Sequence, residues 1–264
     1  MRTALTIAGS DSCGGAGIQA DLKAFMSLGV HGMSVITAIT AQNTHGVTAV
    51  HAVPVETIVQ QIDAVADDFP VHSLKTGMLA TAEVIHAVAS AIRRHKFTNY
   101  VCDPVMFAKS GDRLLEASAV DALKAELLPL ATIVTPNRKE AAALAGMDAA
   151  ALDDPAGVVE ACHRIITAGA NAVVIKAVPH GDRVVDVMMS ATQGGHEVSS
   201  PRIEKPANHG SGCTFAALLA AGLALGHDLA SSLKQANHMV YKAIAHGVPH
   251  GKGTRAVNIL AAME

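Results

Sequence analysis

Asn208-His209-Gly210-Ser211-Gly212-Cys213-Thr214-Phe215 runs directly into an apolar stretch that reaches Leu225. Two glycines ahead of a helix let the backbone approach a ligand closely. The unpaired N–H groups and positive dipole end of the helix then favour an anion. Gly210, Ser211 and Gly212 are therefore candidates for an anion hole. Cys213 falls in the first helical turn, where the dipole favours thiolate, so it is expected to serve as a base. The same residues also suit a plain tight loop, with Cys213 as a small buried packing residue.

A second glycine-rich segment, Ala8-Gly9-Ser10-Asp11-Ser12-Cys13-Gly14-Gly15-Ala16-Gly17, lies between the first expected strand and a helix opening near Ile18. Its spacing is neither G-x-G-x-x-G nor G-x-x-x-x-G-K-[ST]. A glycine loop at the carboxyl end of a first strand is nevertheless where open α/β sheets bind ligands. Asp21, one turn into that helix, is positioned either to reach such a pocket or to stand in solvent.

Polar groups also follow apolar runs at Lys75-Thr76-Gly77-Met78, Asp103-Pro104-Val105, Thr135-Pro136-Asn137-Arg138-Lys139-Glu140 and Ile175-Lys176. Strand ends of this kind converge on one edge of a parallel sheet, which puts Asp103, Asn137, Glu140 and Lys176 in one cleft. Carboxylates and an amide can hold Mg²⁺, and a lysine neutralises phosphate charge, so the set suits phosphoryl transfer. The rival reading makes Asn137 a helix N-cap with Glu140 as its capping-box partner.

The elements that must position these groups follow from periodicity. Short apolar runs at 4–8, 34–40, 73–78, 99–103, 132–135, 172–176 and 184–188 alternate with helix-spaced segments at 55–66, 82–94, 117–127 and 158–168. This rhythm predicts βαβ units around a mainly parallel sheet, its strands covered on both faces. A turn at 191–195 predicts a late antiparallel pair within 184–198, with helix from there to the end. No linker or fixed-period repeat divides the chain, so one domain spanning 1–264 is expected.

Of the 264 residues, 50% are hydrophobic and 16% charged, which excludes a disordered chain. A net charge of -3 with no Trp and two Tyr argues against nucleic acid as partner. The N-terminus lacks a secretory pattern and the apolar run at 215–225 is too short for a bilayer, so a cytoplasmic location and no membrane partner are expected. Cys13, Cys102, Cys162 and Cys213 form no C-x-x-C pair and no zinc-type spacing with histidine. Reduced thiols and no tightly bound structural metal are the expectation.

Read in order, AGSDSCGGAGIQADLKAF, ITAITAQNTHGV, KTGML, DPVMFAKSGDRLL, LLPLATIVTPNRKEA and HGSGCTF resemble the hydroxymethylpyrimidine kinase/phosphomethylpyrimidine kinase family, a branch of the ribokinase superfamily. The resemblance implies a ribokinase-like three-layer α/β/α sandwich and ATP-dependent phosphorylation, with Mg²⁺, of 4-amino-5-hydroxymethyl-2-methylpyrimidine and its monophosphate. It implies substrate contacts at Asp21, Gln42, Met78 and Val105, catalysis at Cys213, and ATP or Mg²⁺ contacts at Asp103, Asn137, Glu140 and Lys176. An adenine wall around 235–245 and a homodimer are implied in the same way. Where the family commonly has Lys-Gly-Gly-His, this chain has Lys176-Ala177-Val178-Pro179-His180, which is expected to stiffen that loop and disfavour positive φ. The competing readings are a pyridoxal or pyridoxine kinase and a non-catalytic pyrimidine-binding protein.

Overall fold

The computed structural model describes residues 1–107, 115–192 and 194–264. Residues 108–114 of the DPVMFAKSGDRLL string and Gln193 of the expected turn lie outside the described residues. The strands are β1 (Thr3–Asp11), β2 (His31–Asn43), β3 (Gly46–Ala52), β4 (Ser73–Thr76), β5 (Tyr100–Cys102), β6 (Ile133–Val134), β7 (Ala172–His180), β8 (Arg183–Ser190) and β9 (Gly194–Pro201). They form one sheet in the order β3-β2-β1-β4-β5-β6-β7-β8-β9. Neighbours from β2 through to β7 run parallel, and β3, β8 and β9 pair antiparallel.

The helices are α1 (Gly17–Ser27), α2 (Val55–Ala66), α3 (Ala82–His95), α4 (Ala117–Ala122), α5 (Arg138–Ala145), α6 (Pro155–Thr167), α7 (Ser211–Ala224) and α8 (Leu229–Ala245). Because successive strand residues point to opposite faces, the sheet divides two cores. Tyr100, Cys102, Val173 and Ile175 join the core under α2 to α6, whereas Val101, Ala172 and Val174 join the one under α1, α7 and α8. The expected three-layer α/β/α arrangement is present. Helix starts follow local chemistry: Thr81, Asp154 and Asp228 cap α3, α6 and α8 by accepting backbone N–H bonds, with Pro155 opening α6.

Four differences from the sequence reading have physical causes. The strand β3 is not expected from sequence, because its side chains are largely exposed and carry little apolar signal. Burial on both faces holds for the central strands but not for β3 or β9. The helix expected over 117–127 widens into a π-helical turn at Leu123–Leu127 and then a 3₁₀ turn at Leu128–Leu130. Pro129 sits inside that 3₁₀ turn, and its ring cannot extend an α-helical ladder.

The chain after β9 is also not helical throughout. Beyond α8 it returns as a strap: Val248 and His209 both bridge to Ala256, the Gly253 N–H donates to Thr44 Oγ1 at 3.0 Å, and the Thr254 N–H donates to the Thr44 carbonyl at 2.8 Å.

Candidate active site

The strand order reverses at β1, which has β2 on one side and β4 on the other, and ligands bind α/β sheets at such switch points. A cavity of about 430 Å³ opens there, at the carboxyl ends of β1, β4, β5 and β7. That volume suits a small molecule.

Gly210 caps α7 with φ 79°, in the left-handed region. A Cβ there would lie 1.7 Å from the Gly15 carbonyl oxygen, so the two glycine segments touch only because neither side chain intervenes. The Ser211 N–H donates to Asn208 and that of Thr214 to Gly210. The N–H groups of Gly212 and Cys213 have no backbone partner among the described residues. All four residues from Gly210 to Cys213 line the cavity. Lys176 Nζ lies 3.5 Å from where a Gly212 Cβ would stand, which brings an ammonium to the same helix end.

Lys176 Nζ donates to Asp103 Oδ1 at 2.8 Å, and Thr135 Oγ1 donates to the same oxygen at 2.8 Å. Burial disfavours the ammonium, but Asp103 and Glu140 hold its pKa above the usual lysine range. Asn137 and Glu140 do form the capping box of α5. The Glu140 N–H donates to Asn137 Oδ1 at 3.1 Å, and the Asn137 N–H donates to Glu140 Oε2 at 2.8 Å. Both also line the cavity, so the cap and the site are the same residues. Burial pushes the Glu140 carboxyl up to about 7, with Lys176 opposing and the Asp103 charge adding to the rise.

Gln42, Met78 and Val105 line the cavity. A β-bulge between Ala41 and Gln42 turns the strand there, and Ser12 Oγ both accepts from the Gln42 N–H and donates to its carbonyl, each at 2.8 Å. Gly9 makes room for Met78, whose Cε would otherwise be 2.7 Å from a Cβ.

Two expectations are corrected. Asp21 does not line the cavity: it is fully buried behind it, accepting from Lys75 Nζ at 2.8 Å and Thr6 Oγ1 at 2.7 Å. For Cys213 the resting thiolate expected at a helix end is disfavoured. Desolvation pushes its thiol up to about 11, Lys75 pulls the other way, and Asp21 and Asp103 add to the rise. The sequence leads one to expect the helix end to dominate, but burial among carboxylates wins.

Sequence reasoning missed Lys75 as a site residue. It lines the cavity, and Asp21 holds its pKa above the usual lysine range despite burial. A lone cation inside an apolar run, at 73–78, is the available signal. Asp186 was missed too: its Oδ1 accepts from the Ala177 N–H and its Oδ2 from Asn237 Nδ2, each at 2.8 Å. Ala177 adopts φ 54°, so the chain keeps a positive φ without glycine, and the bulge between Ile175 and Val178 accommodates it. From α8, Asn237, Val240, Tyr241 and Ile244 line the same cavity.

A family model described as phosphomethylpyrimidine kinase matches residues 11–258. A hydroxymethylpyrimidine/phosphomethylpyrimidine kinase of Haemophilus influenzae is 44% identical over 98% of this chain and 96% of its own length. Among solved structures, a Bacillus subtilis pyridoxal kinase in complex with ADP superposes with TM-score 0.89 at 36% identity, over 99% of this chain and 98% of that one. A Clostridium difficile phosphomethylpyrimidine kinase superposes with TM-score 0.80 at 35% identity, over 92% and 99%.

Proposed function

The chain belongs to the phosphomethylpyrimidine kinase family, and from that premise we propose that it transfers the γ-phosphoryl of ATP to 4-amino-5-hydroxymethyl-2-methylpyrimidine and then to the monophosphate, in thiamin biosynthesis. The observation that carries the reading is one cavity lined by the α7 N-terminus, by Lys75 and Lys176, and by Gln42, Met78 and Val105. The first three elements suit phosphate and the last three suit a flat, polar-edged ring.

In this reading the Gln42 amide offers donor and acceptor in one plane to an aminopyrimidine edge, and Met78 and Val105 cover the ring faces. The substrate hydroxyl lies at Cys213. Its oxygen attacks the γ-phosphorus as the bond to the β,γ-bridging oxygen breaks and ADP leaves. In a loose transition state the hydroxyl becomes acidic late. The resting Cys213 thiol therefore first releases its own proton to solvent beside the Lys75 ammonium, and the resulting thiolate accepts the hydroxyl proton as the new P–O bond forms, which restores the thiol. The Gly212 and Cys213 N–H groups and Lys176 hold the charge that spreads over the phosphoryl oxygens. In the second transfer Cys213 orients the monophosphate.

The donor set fits Mg²⁺. A hard cation takes oxygen ligands, Asp103 Oδ2 accepts no hydrogen bond among the described residues, and Glu140 is raised to about 7 beside the Asp103 charge. Asp103 and Glu140 would hold the ion, through water, with the Asn137 amide alongside, and when bound it neutralises triphosphate charge. All four thiols are free, in keeping with a cytoplasmic protein. The homodimer follows from the resemblance alone and is checked by light scattering.

The whole-chain likeness to a pyridoxal kinase favours one second reading, because pyridoxal also carries a hydroxymethyl group. Steady-state ADP release with ATP, Mg²⁺ and each acceptor separates them. The pyrimidine alcohol and its monophosphate are expected to give the higher kcat/KM. A higher value for pyridoxal overturns the substrate assignment, and binding without ADP release leaves a pyrimidine-binding protein.

A further inference from the structure

Asp11, Cys13 and His209 meet at one point although the histidine is 198 residues from the aspartate. Cys13 Sγ lies 3.3 Å from His209 Nε2 and 3.4 Å from Asp11 Oδ2, and the last two atoms are 2.9 Å apart. Phosphoryl transfer at Cys213 uses none of the three. We propose that they form a binding site for a thiophilic divalent cation of the Zn²⁺ class, held by one thiolate, one imidazole and one carboxylate.

The geometry carries this. Sulfur, nitrogen and oxygen ligands around one tetrahedral zinc, at bonds of about 2.0–2.3 Å, stand about 3.3–3.6 Å from one another. The observed triangle needs to open by only a few tenths of an ångström. A site fit for a metal also needs its ligands held in place from behind, and the Asp11 carboxylate and the His209 backbone are. Asp11 Oδ2 accepts from the Gly15 and Ala16 N–H groups at 3.1 and 2.8 Å, and Oδ1 accepts from the Cys13 N–H at 2.9 Å. The His209 backbone is pinned on both sides, donating to Arg255 and accepting from Val257. Its ring fits only because residue 15 is glycine: a Cβ there would lie 2.1 Å from Cδ2.

Access and selectivity agree. Asp11 and His209 are 2% and 6% exposed, whereas Cys13 is exposed, so a cation enters past the thiol. A thiolate with an imidazole selects zinc-like ions over Mg²⁺, which keeps this site distinct from Asp103 and Glu140. On binding, the thiol proton leaves to solvent and His209 carries its remaining proton on Nδ1, leaving Nε2 free to ligate. Water completes the shell. The bound ion braces the β1 glycine loop against the start of α7. Linear spacing points to no tightly held metal; the fold supplies the third ligand from the far end of the chain.

The test is Co²⁺ titration of the purified full chain without ATP or Mg²⁺. The expected result is a near-ultraviolet thiolate-to-cobalt band saturating at one equivalent, with release of about one proton, abolished by Zn²⁺. Cys13→Ser should lose the band and weaken Zn²⁺ at least tenfold against a chromophoric chelator, while Cys213→Ser keeps both. Zn²⁺ should also protect Cys13 of the wild-type chain from iodoacetamide, read by peptide mass spectrometry, which does not depend on any variant folding. Absence of the band, its persistence in Cys13→Ser, its loss in Cys213→Ser, or unprotected alkylation of Cys13 each overturns the proposal.

Discussion

At the scale of single residues the cavity is governed by two ammonium groups, Lys75 fully buried and Lys176 partly so, and by what they neutralise. Cys213→Ala is expected to lower kcat by about 10² or more while leaving pyrimidine affinity within several-fold, the usual scale for losing a proton acceptor; a near-wild-type kcat removes Cys213 from that role. Lys75→Met strands Asp21 as an unpaired buried carboxylate and should cost about 3–5 kcal/mol in urea unfolding. Adding Asp21→Asn should recover most of that, and no recovery would sink the pairing argument. Residue types at strand ends were legible because chemistry leaves a mark on sequence. Asp21 and the Cys213 ionisation were not, because desolvation depends on packing that no local spacing encodes.

At the scale of elements, the α7 start and the β7–β8 bulge shape the end of the cavity where the proposed reading puts phosphate. Gly210→Ala forces a side chain into the left-handed region and against the Gly15 carbonyl. It should cost about 2–4 kcal/mol and sharply raise KM for ATP, measured by thermal unfolding and initial rates; a silent substitution would mean the loop does not hold the anion. Ala177→Gly relieves a positive φ and should raise stability by about 0.5–1 kcal/mol. A fall instead would show that the Asp186 contact fully absorbs the strain. Periodicity made α2 and α3 legible almost to the residue. It could not find β3, a half-solvated edge strand, or the π-helical turn before Pro129, where one residue overrides a run with good helix spacing.

At the scale of the whole molecule, stability and pH are linked through the same cavity. Glu140 titrates near 7 in the fold against 4.5 for a solvated glutamate, so the folded state holds a proton that the unfolded state has lost in between. Its contribution is fully present below about pH 4.5 and is lost as pH rises through 7. In chelator-treated protein without nucleotide, the thermal midpoint of the wild type should therefore fall relative to that of Glu140→Gln between pH 4.5 and 7, and run parallel above. A constant difference across that range would show that Glu140 is ionised throughout. The three-layer plan was legible in the βαβ rhythm. The meeting of Asp11 with His209 and of Thr44 with Gly253 was not, since nothing local signals contacts about two hundred residues apart.

That last contact, the strap from 248 to 256 over Thr44, also sets an order of events during synthesis. The cavity wall at Gln42 is made early by the ribosome, yet the backbone groups that tie the neighbouring Thr44 in place emerge about two hundred residues later. Contacts of such long separation form late. A nascent chain stalled before Gly251 therefore carries every described strand of the sheet while the Thr44 corner is still unlatched, and that corner closes only once Gly253 and Thr254 have emerged.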